Sequence, residues 1–152
     1  MNISHHTLFF ALLMLVAGLG IPIMAALNGG LGTKLHSPTL ATTILFFVGG
    51  AISLGLLFLS GGIPKSVSLE SIPLYFYLGG IFVIAYILGI TWVAPKFGVG
   101  NAVSFVLLGQ LISMVIIDHY GLLGAQHNPM TNQRILGLAF MVVGVFLTVR
   151  RI

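Results

Sequence analysis

The chain has 152 residues, 58% of them hydrophobic and 5% charged, with a mean hydropathy of +1.15. Soluble domains carry about 25% Asp, Glu, Lys and Arg, so this composition excludes a water-soluble globule and describes an integral membrane protein. The net charge of +4 comes from scattered cations without the clustered basic face a nucleic-acid partner needs, and the absence of cysteine removes disulfides, thiolate metal sites and thiol nucleophiles.

The charged side chains Lys34, Lys65, Glu70, Lys96, Asp118, Arg134, Arg150 and Arg151 separate stretches that are almost wholly apolar. Charges therefore mark the water. The pattern predicts an all-α polytopic protein, a single five-helix membrane domain over 1–152, with transmembrane helices at about 7–31, 38–60, 72–95, 98–117 and 131–149. At about 1.5 Å per residue each covers, or nearly covers, ~30 Å of hydrocarbon. The fifth is the shortest and spans if Arg134 and Arg150 snorkel to opposite interfaces. Continuous apolar runs without two-residue alternation disfavour a β-barrel.

The first helix lacks the basic start of a cleavable signal peptide and is too long for one, so it is expected as a retained crossing. Pro22 falls in its middle and frees the Gly18 carbonyl, which predicts a kink, either a packing feature or a hinge beside a transport path. Gly18, Gly20, Asn28, Gly29, Gly30 and Gly32 make the same helix deformable. Ser37-Pro38 is a cap followed by a helix-starting proline, and Pro95-Lys96-Phe97-Gly98 reads as a tight connection.

Amides within the membrane need partners, which singles out Asn28, Asn101 and Gln110. At about 100° per residue, Asn101 and Ser104 share one face of the fourth helix while Gln110 and Ser113 lie roughly opposite. The two pairs cannot line one cavity, so at least one is an interhelical bond; Gln110 stays open between cavity group and structural glue. Tyr86 falls mid-membrane and its hydroxyl also needs a partner. Trp92, Tyr75, Tyr77 and Tyr120 lie near helix ends, where aromatic belts form; Trp92 is a pathway candidate as well.

Asp118-His119 ends the fourth helix and could relay protons, but Arg134 lies on the same side of the membrane, and an Asp118–Arg134 ion pair between helix ends is the simpler account. His5, His6 and His127 have no ligand partner at helical spacing, so no metal and no cofactor are assigned. Catalytic signatures are lacking, so an enzyme is not expected. Small residues four apart, Gly49 with Ser53, Ala51 with Gly55, Ala85 with Gly89, Gly100 with Ser104 and Gly109 with Ser113, suit helix packing. Gly137 and Gly144 form a candidate dimerisation seam.

Five crossings put the termini on opposite sides. Lys34, Lys96, Arg150 and Arg151 share one side, against Lys65 and Arg134 on the other, which favours an outside N-terminus and a cytoplasmic C-terminus. So small a bias also suits insertion in both orientations.

Gly20-Ile-Pro22, Asn28-Gly29, Leu31-Gly32, Ser37-Pro38 and Phe47-Val48-Gly49, followed by Ala94-Pro95-Lys96-Phe97-Gly98, Gly109-Gln110-Leu111, Ile117 to Gly121, Pro129, Arg134 and Gly137, resemble the YdcZ-type family of the drug/metabolite transporter superfamily. The resemblance covers nearly the whole chain. It implies a bacterial inner-membrane carrier of a small metabolite or drug-like solute, half of an inverted-repeat ten-helix transporter. Two such chains would pair antiparallel, as a homodimer or with a paralogue, and work by alternating access. Relatives often carry glutamine where this chain has Met24, one turn before Asn28; either that position touches the solute, so that the ligand here differs or is more apolar, or it is structural. The small multidrug resistance relatives use a membrane-embedded glutamate on the first helix, which is absent here and disfavours a permanently cationic substrate. The other class of function considered is a non-transporting subunit that packs against or regulates another membrane protein.

Overall fold

The structure, a computed structural model, describes residues 5–64 and 72–149. Regular structure among them is helical: α1 (His5–Lys34), α2 (Pro38–Leu59), α3 (Gly79–Phe97), α4 (Val99–Tyr120) and α5 (Asn132–Thr148), with 3₁₀ turns at Leu74–Leu78 and Leu122–Gly124. Lys65, Glu70, Arg150 and Arg151, and the side chains of His5 and His6, lie outside the described residues.

Four segments have the length and hydropathy to cross a membrane, namely Thr7–Lys34, Pro38–Leu59, Leu74–Phe97 and Val99–Tyr120. α5 is apolar but has only 17 residues, about 26 Å at the α-helical rise.

The ends of the helices follow from local chemistry. α1 runs three residues beyond the expected 31 and stays helical through Pro22. It stops where His36 adopts a left-handed conformation, φ +51°, and the Ser37 N–H bonds the Gly32 carbonyl at 3.0 Å, a Schellman closure. Ser37 then caps α2 by accepting from the Leu40 N–H at 3.1 Å, with Pro38 in the first turn, as the sequence predicts. The third segment differs from the expected continuous helix. Pro73 has no N–H, and its carbonyl takes the Phe76 N–H at 3.1 Å, an i to i+3 bond that winds Leu74–Leu78 as 3₁₀ before Gly79. α3 then includes Pro95 and ends at Phe97; Gly98, at φ +90°, alone separates it from α4.

Two compact units divide the chain, Met1–Lys96 and Phe97–Ile152. The first is centred on the C-terminal half of α1. A Cβ on Gly32 would stand 3.1 Å from the Thr91 γ-methyl and 3.4 Å from the Pro38 backbone, and one on Gly29 would stand 3.2 Å from the Pro95 ring. Glycine at both positions lets α2 and α3 approach α1. Ala25, Ala41, Ile87, Ile90 and Ala94 are buried there. The second unit packs α4 on α5, with Ala102, Leu111 and Val145 buried.

The glycines of the expected packing pairs are not the ones packed. Gly49, Gly55, Gly89, Gly100, Gly109, Gly137 and Gly144 have nothing within 4 Å of where a Cβ would be. Small size permits close approach but does not say which face a neighbour uses.

Candidate functional site

α1 and α2 enclose a cleft of about 400 Å³, lined from α1 by Gly20, Ile23, Met24, Leu27, Asn28 and Leu31 and from α2 by Ile44, Leu45 and Val48. Asn28 is its only polar side chain. Met24 precedes it by one turn on the same side of α1, so the cleft is an aliphatic and thioether surface with a single amide.

That amide is 4% exposed and cannot be left unpaired in such a place without a penalty of about 1–3 kcal/mol. Its Nδ2 donates to Thr91 Oγ1 of α3 at 2.5 Å. The Thr91 hydroxyl, 1% exposed, donates in turn to the Ile87 carbonyl one turn back, at 2.6 Å. Two buried side chains and a backbone carbonyl thus form a directional chain from α1 into α3. Gly32 permits it, because the Thr91 γ-methyl occupies the space a side chain there would need.

Two further hydroxyls in the first unit, Thr42 Oγ1 of α2 and Tyr86 OH of α3, are buried and have no hydrogen-bond partner. Tyr86 lies five residues before Thr91, about 140° around α3, and so faces away from the Asn28 contact.

Trp92 is 55% exposed and carries the Lys96 ammonium 4.1 Å above its ring centroid. Both line a separate cleft of about 290 Å³ with Thr33 and His36, at the ends of α1 and α3, where a tryptophan and a lysine suit the membrane–water boundary.

The remaining candidates stand in the second unit. Asn101 donates to the Phe97 carbonyl at 3.0 Å, holding the first turn of α4. Gln110 is exposed on α4. The apolar cleft of about 200 Å³ between α4 and α5, lined by Leu108, Leu111, Ile112 and Val115 among others, does not include it.

Asp118 forms an ion pair with Arg134, tying the last turn of α4 to the first of α5. Arg134 also donates to the Asn128 carbonyl at 3.3 Å, the Asn128 N–H bonds the Asp118 carbonyl at 2.9 Å, and His119 Nδ1 accepts from the Met130 N–H at 3.2 Å. These bonds organise the α4–α5 loop.

The structure therefore brings Asn28 and Met24 into one cleft. It sets Tyr86 and Trp92 elsewhere in the same unit. Sequence reasoning missed Thr91 and Thr42. Thr91 had a signal: it is the single serine or threonine of α3, and a membrane-embedded asparagine needs a partner on a neighbouring helix. Thr42 had none, because a helical threonine ordinarily bonds the carbonyl a turn behind it.

No curated protein and no solved structure matches the chain. A family model, DMT_YdcZ, described as "Putative inner membrane exporter, YdcZ", matches residues 9–147. Its span reaches from α1 into α5 and takes in the Asn28 cleft and the Asp118–Arg134 pair. The chain is a multi-pass inner-membrane protein of an exporter class and belongs to the DMT_YdcZ family.

Proposed function

We propose that the protein is a carrier that moves a small, largely apolar solute out of the cell, working by alternating access as one half of an antiparallel pair. The observation that carries this reading is the α1–α2 cleft, whose aliphatic and methionine lining holds one buried amide, Asn28. Such a surface holds an apolar body by its shape and orients it by one hydrogen bond. The unpartnered hydroxyls of Thr42 and Tyr86 lie outside the lining of this cleft, and each is a further group that a water or a ligand would complete.

The solute is uncharged. Among the described residues the acid is Asp118, committed to Arg134 at a helix end, so no described carboxylate stands inside a helix bundle to neutralise a permanent cation. The antiparallel mate is supported by the odd number of crossings that the sequence predicts, by the weak loop charge bias and by the open faces at Gly49, Gly55, Gly109, Gly137 and Gly144. A second copy or a paralogue would pack there. α5 completes the count of five if the cations at its ends snorkel.

Counterflow into proteoliposomes, measured over a broad panel of neutral solutes, tests the proposal. Saturable exchange that falls at least about tenfold in Asn28→Leu, with the variant still folded, is the expected result. A panel without flux refutes the carrier. Tag accessibility at the C-terminus tests the pairing: copies facing both ways support an antiparallel homodimer, and one uniform orientation requires an opposite-facing paralogue.

A further inference from the structure

We propose that Thr91 is a positioning residue that sets the polarity of the Asn28 amide, so that the α1–α2 cleft presents a hydrogen-bond acceptor and selects apolar solutes carrying an N–H or O–H donor. The inference rests on the carrier reading for its solute and adds the class of that solute.

A threonine hydroxyl has one hydrogen. The distance of 2.6 Å between Thr91 Oγ1 and the Ile87 carbonyl oxygen requires that hydrogen to lie between them, because two bare oxygens repel at that separation. Thr91 Oγ1 is then left with lone pairs only toward α1. The group it meets there must be a donor, which is the Asn28 Nδ2 that contacts it. The same chain of bonds excludes the flipped amide, in which two acceptors would face each other.

The carbonyl edge of the amide consequently lies away from Thr91. At about 100° per residue, Asn28 sits on the border of two faces of α1. Gly29 and Gly32 lie on one side of it, against Pro95 and Thr91 of α3. Met24 and Leu31 lie on the other and line the cleft. With Nδ2 held on the α3 side, Oδ1 is the group turned to the cleft. No other side chain of the lining can hydrogen-bond strongly, so this oxygen decides which solutes satisfy the site. A solute with a donor pairs with it; an isostere without one leaves it desolvated and unpaired, the situation in which discrimination is largest.

Two probe pairs differing only in the donor test this: indole with 1-methylindole, and phenol with anisole, each small enough for a cleft of about 400 Å³. Binding is measured on the purified full-length protein in nanodiscs, corrected for partition into empty nanodiscs. The wild type should bind indole and phenol about tenfold or more tighter than their methylated partners. Thr91→Val, which frees the amide to turn, should reduce that preference below about twofold, and Thr91→Ser, which keeps the hydroxyl, should retain it. If Thr91→Val does not fold, Asn28→Leu gives the second reading and should also abolish the preference. Equal binding within both pairs, no binding of any probe, or a preference that survives Thr91→Val overturns the proposal. Donor preference in binding, with no counterflow of any solute, would leave this inference standing and remove the carrier. Counterflow of donor-free solutes with no preference between probes would do the opposite.

Discussion

Gly32 of α1 lies so close to Thr91 of α3 that a Cβ on the glycine would stand 3.1 Å from the threonine γ-methyl. Thr91 cannot rotate out of the way, because its hydroxyl is engaged by both Asn28 and Ile87, and the Pro38 backbone and Ala41 close the other sides. Gly32→Ala should therefore destabilise the protein by about 1–3 kcal/mol, the usual range for overpacking. Gly18→Ala is the control. Nothing lies within 4 Å of its added methyl, and alanine is favoured over glycine inside a helix by about 0.5–1 kcal/mol. Thermal unfolding in detergent should move in opposite directions for the two variants.

The bond between Asn28 and Thr91 should appear as a coupling energy. Thr91→Val leaves the amide buried without its acceptor, a loss of about 1–3 kcal/mol. Asn28→Leu removes the amide and leaves Thr91 still bonded to Ile87. The double variant should be more stable than the sum of the two single losses predicts, by about 0.6–2 kcal/mol, the span measured for interhelical hydrogen bonds in membranes. Additive losses in a double-mutant cycle would mean that the two side chains do not interact.

Asp118 and Arg134 are each about a quarter exposed, 25% and 27%, so their pair is screened and worth about 0.5–1 kcal/mol. Asp118→Asn should lower the unfolding temperature slightly, and added salt should narrow the gap between variant and wild type. The exchange Asp118→Arg with Arg134→Asp should recover part of the loss. A large loss of counterflow in Asp118→Asn, with stability unchanged, would contradict a purely structural pair and point to proton transfer.

Thr42→Val and Tyr86→Phe remove buried hydroxyls that have no partner. Since no bond is lost, each should be neutral or stabilising, by up to about 1 kcal/mol. If either hydroxyl meets the solute, flux should fall severalfold in a protein that unfolds at the same or a higher temperature. Opposite movement of stability and transport would separate a pathway group from a packing one. A destabilised Thr42→Val would show that the hydroxyl has a structural partner.

Much of the architecture is written locally. Runs of apolar residues between charges, Pro38 after Ser37 and Asp118 facing Arg134 across a short loop are near-neighbour features, so the helices, the α2 cap and the ion pair could be expected from residues close together in the chain. The departures are local too, such as the 3₁₀ winding of Leu74–Leu78 that follows Pro73.

The amino-acid order alone establishes that this is a membrane protein of several apolar helices and identifies Asn28 as an amide that cannot stand unpaired. It does not say that Thr91 is its partner, that Gly32 rather than Gly49 or Gly109 is the close contact, or that Gln110 lies on an exposed face of α4. Lipid is as apolar as a protein interior, so a membrane helix carries little of the one-sided hydrophobic stripe that shows which face of a soluble helix turns inward. Only the packing of helix on helix, α1 with α2 and α3 in the first unit and α4 with α5 in the second, decides that.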